Sequence, residues 1–456
     1  MKTKKENKII LEKGLSAKVI KKISALKNEP EWMLNIRLNA YKVFLKLKNP
    51  KWGPDLSFIN FNEYVYYASS IGSEYYKTSW DEVPEKIKKQ FEELNVPENE
   101  AKYFSGVNSQ YDSDTVYHQL KDDLKKKKVI FTNIETAITE HPSLVKKYFG
   151  KLVPFSDNKY AALNTAVWSG GTFLYVPKGV KLDQPLSAYF RINTKSVGQF
   201  ERTLIIVDDG AYVHYNEGCT APIYDKNNLH AAVVEIFIGK NAHCRYSTIQ
   251  NWSDNVLNLV TKRAVVEENG IMEWIDGNLG SKLNMKYPAT ILKGDNSKAK
   301  CISIAVSHEG VIQDAGAKMI HVGKNTRSQI ISKSIAHSGG NATYRGLVQI
   351  SKSAINSNSE VVCDTLILDK ISKSDTYPTE KVFSKSSVLK HEAKVTDLDN
   401  QKLFYLQSRG IDLVTAKQLL VLGFIEDFAN ELPLEYSVEL NRLLKWILSK
   451  GTLSHH

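Results

Sequence analysis

The chain predicts a mainly β fold, a right-handed parallel β-helix (β-solenoid) between N-terminal and C-terminal helical regions, and three observations carry that expectation. The first is a repeat between residues 200 and 360. Apolar, β-branched runs end in short polar corners and resume as β-rich runs: Asp208-Asp209-Gly210, Gly239-Lys240-Asn241, Glu268-Asn269-Gly270, Gly294-Asp295-Asn296 and Gly323-Lys324-Asn325, with a weaker corner at Ser351-Lys352-Ser353-Ala354. Successive corners end 31, 29, 26, 29 and 29 residues apart, a period that marks one supersecondary unit stacked on copies of itself. The second observation is that no helical pattern interrupts the unit, so strand stacks on strand. The third is that Ala211-Tyr212-Val213-His214-Tyr215 and Ala242-His243-Cys244-Arg245-Tyr246 occupy equivalent places after their corners.

Four regions follow in order. Residues 1–105 read as helical: Ser16 caps a helix through Val19, Ile20 and Ile23, and Pro30 opens another carrying Trp32, Ile36, Ala40, Val43 and Leu47 at helical spacing. Ser79-Trp80-Asp81-Glu82-Val83-Pro84 signals a further helix through Ile87 and Phe91. Residues 106–159 are transitional, with a helix from Ser143 to Phe149 after Pro142. Residues 160–397 form the β-helix core, where alternation, aromatic residues and Gly/Asn/Asp corners dominate. Residues 398–456 return to helix: Ser408-Arg409-Gly410 separates two helices, Asp412 caps the second, and Pro433 opens a last one carrying Tyr436, Leu440, Leu443 and Leu444.

Composition narrows the function. The net charge is +11, and residues 1–50 hold thirteen Lys or Arg against four Glu. These lysines alternate with apolar residues, which reads as a solvated helical surface more readily than as a nucleic-acid arm. A charged start without an apolar h-region is not a secretory signal, and no stretch approaches the roughly 20 apolar residues that span a bilayer. Four widely spaced cysteines, Cys219, Cys244, Cys301 and Cys363, suit a reducing compartment better than a disulfide framework. The expected location is cytoplasmic, or a plastid stroma for an organelle-encoded chain.

Local motifs supply no enzyme chemistry. No C-x-x-C pair marks zinc or iron–sulfur ligation, and no phosphate loop, nucleophile elbow or H-E-x-x-H helix is present. Spacing alone therefore favours packing roles for the cysteines. Coil register opens a second reading. Cys219 lies nine residues past Gly210 and Gln250 nine past Asn241, so aligned coils set them about 4.8 Å apart along the sheet direction. Trp252 follows on the same face, and Cys363, nine past Ala354, takes the same nominal position. About one coil after Cys363 comes Leu389-Lys390-His391-Glu392-Ala393, which places thiolate, imidazole and carboxylate within mutual reach, a donor set that suits iron.

At these residues the chain resembles the SufB/SufD family of Suf iron–sulfur cluster assembly proteins, on the SufB side. The resemblance runs nearly the whole length. It includes Glu29-Pro30-Glu31-Trp32-Met33-Leu34, Ala166-Val167-Trp168-Ser169-Gly170-Gly171, Gln199-Phe200-Glu201-Arg202-Thr203 and Glu217-Gly218-Cys219-Thr220-Ala221-Pro222. It continues through Gln250-Asn251-Trp252, Tyr344-Arg345-Gly346-Leu347, Cys363-Asp364-Thr365 and Glu431-Leu432-Pro433-Leu434-Glu435. The resemblance implies a right-handed β-helix scaffold, not a conventional enzyme. By motif, Cys219 accepts persulfide sulfur, with Arg191, Asn193, Gln250, Trp252 and Lys262 along the transfer route, and Cys363, Glu392 and His391 hold iron of the nascent cluster. The implied cargo is a transient iron–sulfur cluster of 4Fe-4S type, with a reduced flavin as a candidate participant and ATP acting only through a partner ATPase. The implied partners are a SufC-like ABC ATPase gripped by the helical tail, a SufD-like paralogue or a second copy of this chain, a SufE- or SufU-type carrier with a SufS desulfurase, and recipient apo-proteins, with neither membrane nor nucleic acid.

Two departures stand out. Position 390 is Lys where the family often has an acid, so Lys390 is expected to neutralise an anionic cluster instead of ligating it. The N-terminal cysteine cluster of some relatives is absent. Two other functions compete: a SufD-type subunit, disfavoured by Cys219, Cys363 and His391-Glu392 together, and a nucleic-acid-binding protein using the basic N-terminus and the turn at Gly410.

Overall fold

The computed structural model describes residues 9–69, 106–111, 114–120, 122–191, 198–220, 228–432, 437 and 440. It is mainly β, a parallel solenoid of about seven turns with helices at both ends. Each coil contributes strands to two facing walls. One wall contains Arg202–Val207, Val233–Ile238, Val256–Val266 and Asn341–Ile350; the other contains Tyr212–Thr220, His243–Trp252, Ile271–Gly280, Lys298–Ser307, Arg327–Ala336, Asn358–Ile367 and Val388–Asp397. Among the described strands from 172 to 397 every pairing is parallel. The pairing aligns Tyr212 with His243 and Tyr215 with Tyr246, as the repeat requires.

The corners show why the period drifts. Each turns on one residue in the left-handed region: Gly210, Asn241, Asn269, Asn296, Asn325 and Asn356, with φ from 54° to 69°. Asparagine tolerates that region because its short amide bonds locally, and Asn269 Nδ2 donates to Asn241 Oδ1 at 3.0 Å on the coil below. The third and sixth corners therefore end at Asn269 and Asn356, not at Gly270 and Ala354. The sixth coil is two residues longer than its hydropathy suggests, and every position after it shifts accordingly.

The walls are capped on their outer faces. Ser16 Oγ accepts from Val19 N and starts the helix Ala17–Leu26. Pro30 sits at the cap position, not the first turn, of Glu31–Lys46. The buried stripe of that helix is Met33, Arg37, Ala40 and Phe44, one position away from the expected Trp32/Ile36 row, which packs as a partly buried flank. Arg37 draws the helix round: it donates twice to Glu29, at 2.7 and 2.5 Å, donates to the Trp168 carbonyl at 2.9 Å, and lies 4.3 Å above the Trp168 ring. An apolar-periodicity reading assigns a charged residue to solvent, and here pairing within the core reverses it.

Three further expectations change. Residues 160–167, read as the start of the β region, belong to the buried helix Lys159–Val167 capped by Asn158. Gly106–Tyr111, Asp114–Leu120 and Ile130–Asn133, read as transitional, contribute strands to the walls. The helix after Pro142 spans Pro142–Tyr148. At the other end, Gly410 at φ 84° separates Asn400–Ser408 from Leu413–Phe424, and Asp412 caps the latter through Val414 N and Thr415 N. Val421, Ile425, Phe428, Leu432 and Leu440 cover Ile249, Ile275, Ile302 and Ile304 on the outer face of the second wall. Glu431 clamps this cover to Arg245 and Lys300, each at 2.8 Å. The expected helices at 79–91 and after Pro433 lie outside the described residues, apart from Leu440. No described helix is long and apolar enough to cross a membrane.

Candidate functional site in the solenoid interior

Strand alternation sends every second side chain into the solenoid, and in-register stacking turns these positions into columns. One column runs Cys219, Gln250, Asn278, Ala305, Ser334 and Thr365. The next inward column, two residues earlier on each strand, runs Glu217, Thr248, Asp276, Ser303, Ser332 and Cys363. Cys219 and Gln250 are direct neighbours, as expected. Cys363 stands in the adjacent column, not that of Cys219, because the sixth corner turns at Asn356.

Around Cys219 the interior is charged and closed. Cys219, Gln250, Lys262, Asp276 and Lys286 are all buried. Cys219 Sγ lies 3.8 Å from Glu217 Oε1, whose other oxygen accepts from the Tyr246 hydroxyl at 2.5 Å. Lys262 Nζ sits 4.0 Å from Glu217, 3.7 Å from Asp276 and 4.6 Å from the Tyr246 ring centre. Lys286 Nζ lies 2.9 Å from Asp276 and donates to Gln250 Oε1 at 2.9 Å. A ring of contacts thus returns from Gln250 to the strand neighbour Cys219. Trp252, two residues beyond Gln250, packs against His230 with the rings tilted by 45° and their centres 4.6 Å apart. Lys262 Nζ and Trp252 Nε1 are among several buried polar atoms of the described residues that make no hydrogen bond; Lys262 is held by its ion pairs alone.

An amide ladder on the facing wall went unread in the sequence. His230, Asn258, Asn284 and Gln313 stack in register. They are joined by contacts of 2.5, 2.7 and 2.8 Å, and His230 also meets Glu201 at 2.7 Å. Asn258 Nδ2 crosses to Gln250 Oε1 at 2.8 Å. The signal was present as polar residues inside apolar strands at coil spacing, visible only once the register is known.

Burial sets the chemistry of the thiol. It pushes Cys219 well above the usual thiol range, and the Glu217 and Glu201 carboxylates add to that, while Lys262 and Lys286 oppose it. The resting group is a protonated thiol. Cys244 and Cys301 are fully buried in the apolar interior and raised chiefly by burial, consistent with packing. Arg191 pairs with Thr220 through the backbone and Phe190 with Cys219, which puts that strand beside the thiol; the Arg191 side chain and all of Asn193 lie outside the described residues.

A second site lies five coil steps along the wall, roughly 24 Å at 4.8 Å per step. Cys363 Sγ is 3.0 Å from His391 Nε2, and the far imidazole nitrogen, Nδ1, is 2.7 Å from Glu380 Oε1. Glu380 comes from the other strand of the same terminal coil, Lys373–Val382. Glu392 does not complete this set through its carboxylate. It is aligned with Val362, so alternation turns its side chain to the opposite face, and only its carbonyl meets Cys363, at 3.5 Å. Lys390 shares that opposite face, away from the thiol. The missed acid, Glu380, was legible only as one residue of a charged strand. Burial, helped by Asp364 and Glu380, pushes Cys363 up to about 11. Among the described residues no three His, Cys, Asp or Glu side chains converge to cage a metal, so this end offers a soft thiol and an oriented imidazole.

A β-solenoid that seals one thiol in a charged interior and sets another against imidazole near its last coil defines a class, thiol proteins whose donors suit sulfur and iron. The chain belongs to the SufBD family of iron–sulfur cluster assembly proteins. Residues 190–424 match the SUF system FeS cluster assembly, SufBD core domain, and residues 27–188 match the SufBD protein N-terminal region. Iron–sulfur cluster assembly SufBD family proteins of Staphylococcus aureus (strain USA300) and Staphylococcus haemolyticus (strain JCSC1435) are each 55% identical over 435 residues, covering 95% of this chain and 93% of theirs.

Proposed function

We propose that this protein is the scaffold subunit on which sulfur and iron are joined into a cluster, Cys219 accepting persulfide sulfur and Cys363 with His391 holding iron. The observation that carries the reading is the pairing of a thiol with two buried cations and an in-register amide at Cys219. A persulfide is an anion, and cations and amides stabilise it where water is excluded. Exchange at Cys219 makes it the sulfur acceptor, and Gln250, Trp252 and Lys262 line the same interior. At the second site Glu380 holds His391 so that Nε2 faces Cys363, the arrangement in which a carboxylate orients a metal-binding imidazole. Glu392, whose side chain lies on the opposite face from Cys363, is assigned no role in this proposal. Mutation of Cys219 to Ser should block persulfide accumulation when the protein is treated with a desulfurase and its carrier, read by mass spectrometry; undiminished labelling rules Cys219 out.

The terminal coil supports assembly with a paralogue or a second copy. Tyr377, Val382, Phe383, Val388 and Val395 on its two strands and the following turn are exposed. Such an edge is a template for added strands, and it lies beside Cys363. On the helical tail Phe404 is 74% exposed and Tyr405 57%, with Leu413 and Leu419 nearby. We assign this apolar patch to an ABC-type ATPase partner, since ATP chemistry is absent from the chain's own motifs. Removing the tail would uncover Ile275 and Ile304, so the sharper test is Phe404→Ala with Tyr405→Ala. That variant should fold normally and lose co-purification with the ATPase; retained binding moves the interface elsewhere.

A further inference from the structure

We propose that Lys286 is a positioning and charge-balancing residue of the sulfur-acceptor chamber, the cation that offsets the anion created when sulfur is placed on Cys219. The inference rests on the reading of Cys219 as acceptor. An isolated buried ammonium is costly, and Lys286 is wholly buried in the solenoid interior. Its ammonium reaches from the first wall to two groups on the second: Asp276 Oδ1 at 2.9 Å and Gln250 Oε1 at 2.9 Å, the amide of the residue aligned with Cys219. Asn258 and Lys286 both donate to Gln250 Oε1, so Lys286 shares in fixing the orientation of that amide.

The transfer itself shows why a second cation is needed. Cys219–SH meets a donor persulfide R–S–S⁻. An S–S bond forms at Cys219 Sγ, the donor's S–S bond breaks, and the thiol proton passes to the departing thiolate, giving Cys219–S–S⁻ and R–SH. The sulfane sulfur changes hands without any outside oxidant. A neutral thiol has become an anion inside a chamber that already holds Glu217 and Asp276, with Glu201 and His230 behind them and the Tyr246 hydroxyl on Glu217. Lys262, at 4.0 Å from Glu217 and 3.7 Å from Asp276, is shared between two acids. Lys286, paired with Asp276, is the second buried ammonium acting on the thiol. Burial pulls Lys286 down to about 8, opposed by Asp276 and lowered further by Lys262. With the thiol neutral the ammonium is charged below pH 8; a persulfide anion beside it extends the charged range upward, and above that range the charge and the hold are lost together.

The test compares wild type, Cys219→Ser, Lys286→Met and Lys286→Arg, each treated with cysteine persulfide and read as the mass gain of one sulfur on the Cys219 peptide across pH 6–10. Wild type should label well at pH 7 and lose label as pH rises above 8. Lys286→Met should label at least about tenfold less at pH 7, the effect of removing a cation worth one pKa unit. Lys286→Arg, whose guanidinium stays charged, should keep its label above pH 8. If Cys219→Ser loses label while Lys286→Met matches wild type in yield and pH profile, the role of Lys286 is overturned. Should Lys286→Met fail to fold, the Arg variant decides, since an unchanged loss above pH 8 overturns the proposal. Label retained in Cys219→Ser overturns the acceptor reading instead.

Discussion

Replacement of Cys363 by serine should abolish the charge-transfer absorbance that forms when the protein, with its partner subunits, is reconstituted anaerobically with iron and sulfide. The hydroxyl has nearly the shape of the thiol, so the fold is expected to survive, but it is a hard donor that does not ionise under these conditions, whereas a thiolate is the ligand that iron–sulfur clusters select. In the metal-free protein burial already pushes the thiol up to about 11, so iron must displace a proton to bind, and His391 Nε2 stands 3.0 Å away. Circular dichroism should be unchanged while the visible bands vanish. Full absorbance in the serine variant would remove Cys363 from the ligand set and return it to a packing role.

The largest loss of stability should come from Glu235→Ala. Glu235 and Arg202 are both fully buried and meet at 2.5 Å. The same carboxylate also accepts from the backbone N–H groups of Gly150, Leu152 and Val153 at 2.8 to 3.0 Å. This is the seam that ties the segment before the helix Lys159–Val167 to the first wall. Truncation leaves a buried guanidinium without its counter-charge, and breaking a buried pair in this way costs about 3–5 kcal/mol. Thermal unfolding followed by circular dichroism should show a large fall in the midpoint, with Glu235→Gln intermediate because it keeps hydrogen-bonding capacity without the charge. A midpoint within a degree or two of wild type would show that the seam contributes little.

Register separates what was legible from what was not. Cys219 and Gln250 could be paired on paper because the corner at Asn241 turns where its hydropathy says it does. Cys363 could not be placed correctly, because Ser351-Lys352-Ser353-Ala354 looks like a corner while the chain turns at Asn356. A shift of two residues keeps a side chain on the same face but moves it to the next column, while neighbours on one strand alternate faces, so His391 points toward Cys363 and Glu392 away from it. Arg37 and Lys286 were hidden for another reason: charged residues within apolar strands or helices carry no local mark of being buried.

The residues alone were enough for the solenoid and its helical ends, because polar corners, β-branched runs and cap residues act over a few positions of chain. Only the packed structure could decide which side chains share a column, that Glu380 meets His391, and that Lys286 joins Asp276 to Gln250 beside Cys219. Those relations depend on where each coil turns and on the cost of leaving a buried charge unpaired, and the columns are set between strands 27 to 31 residues apart.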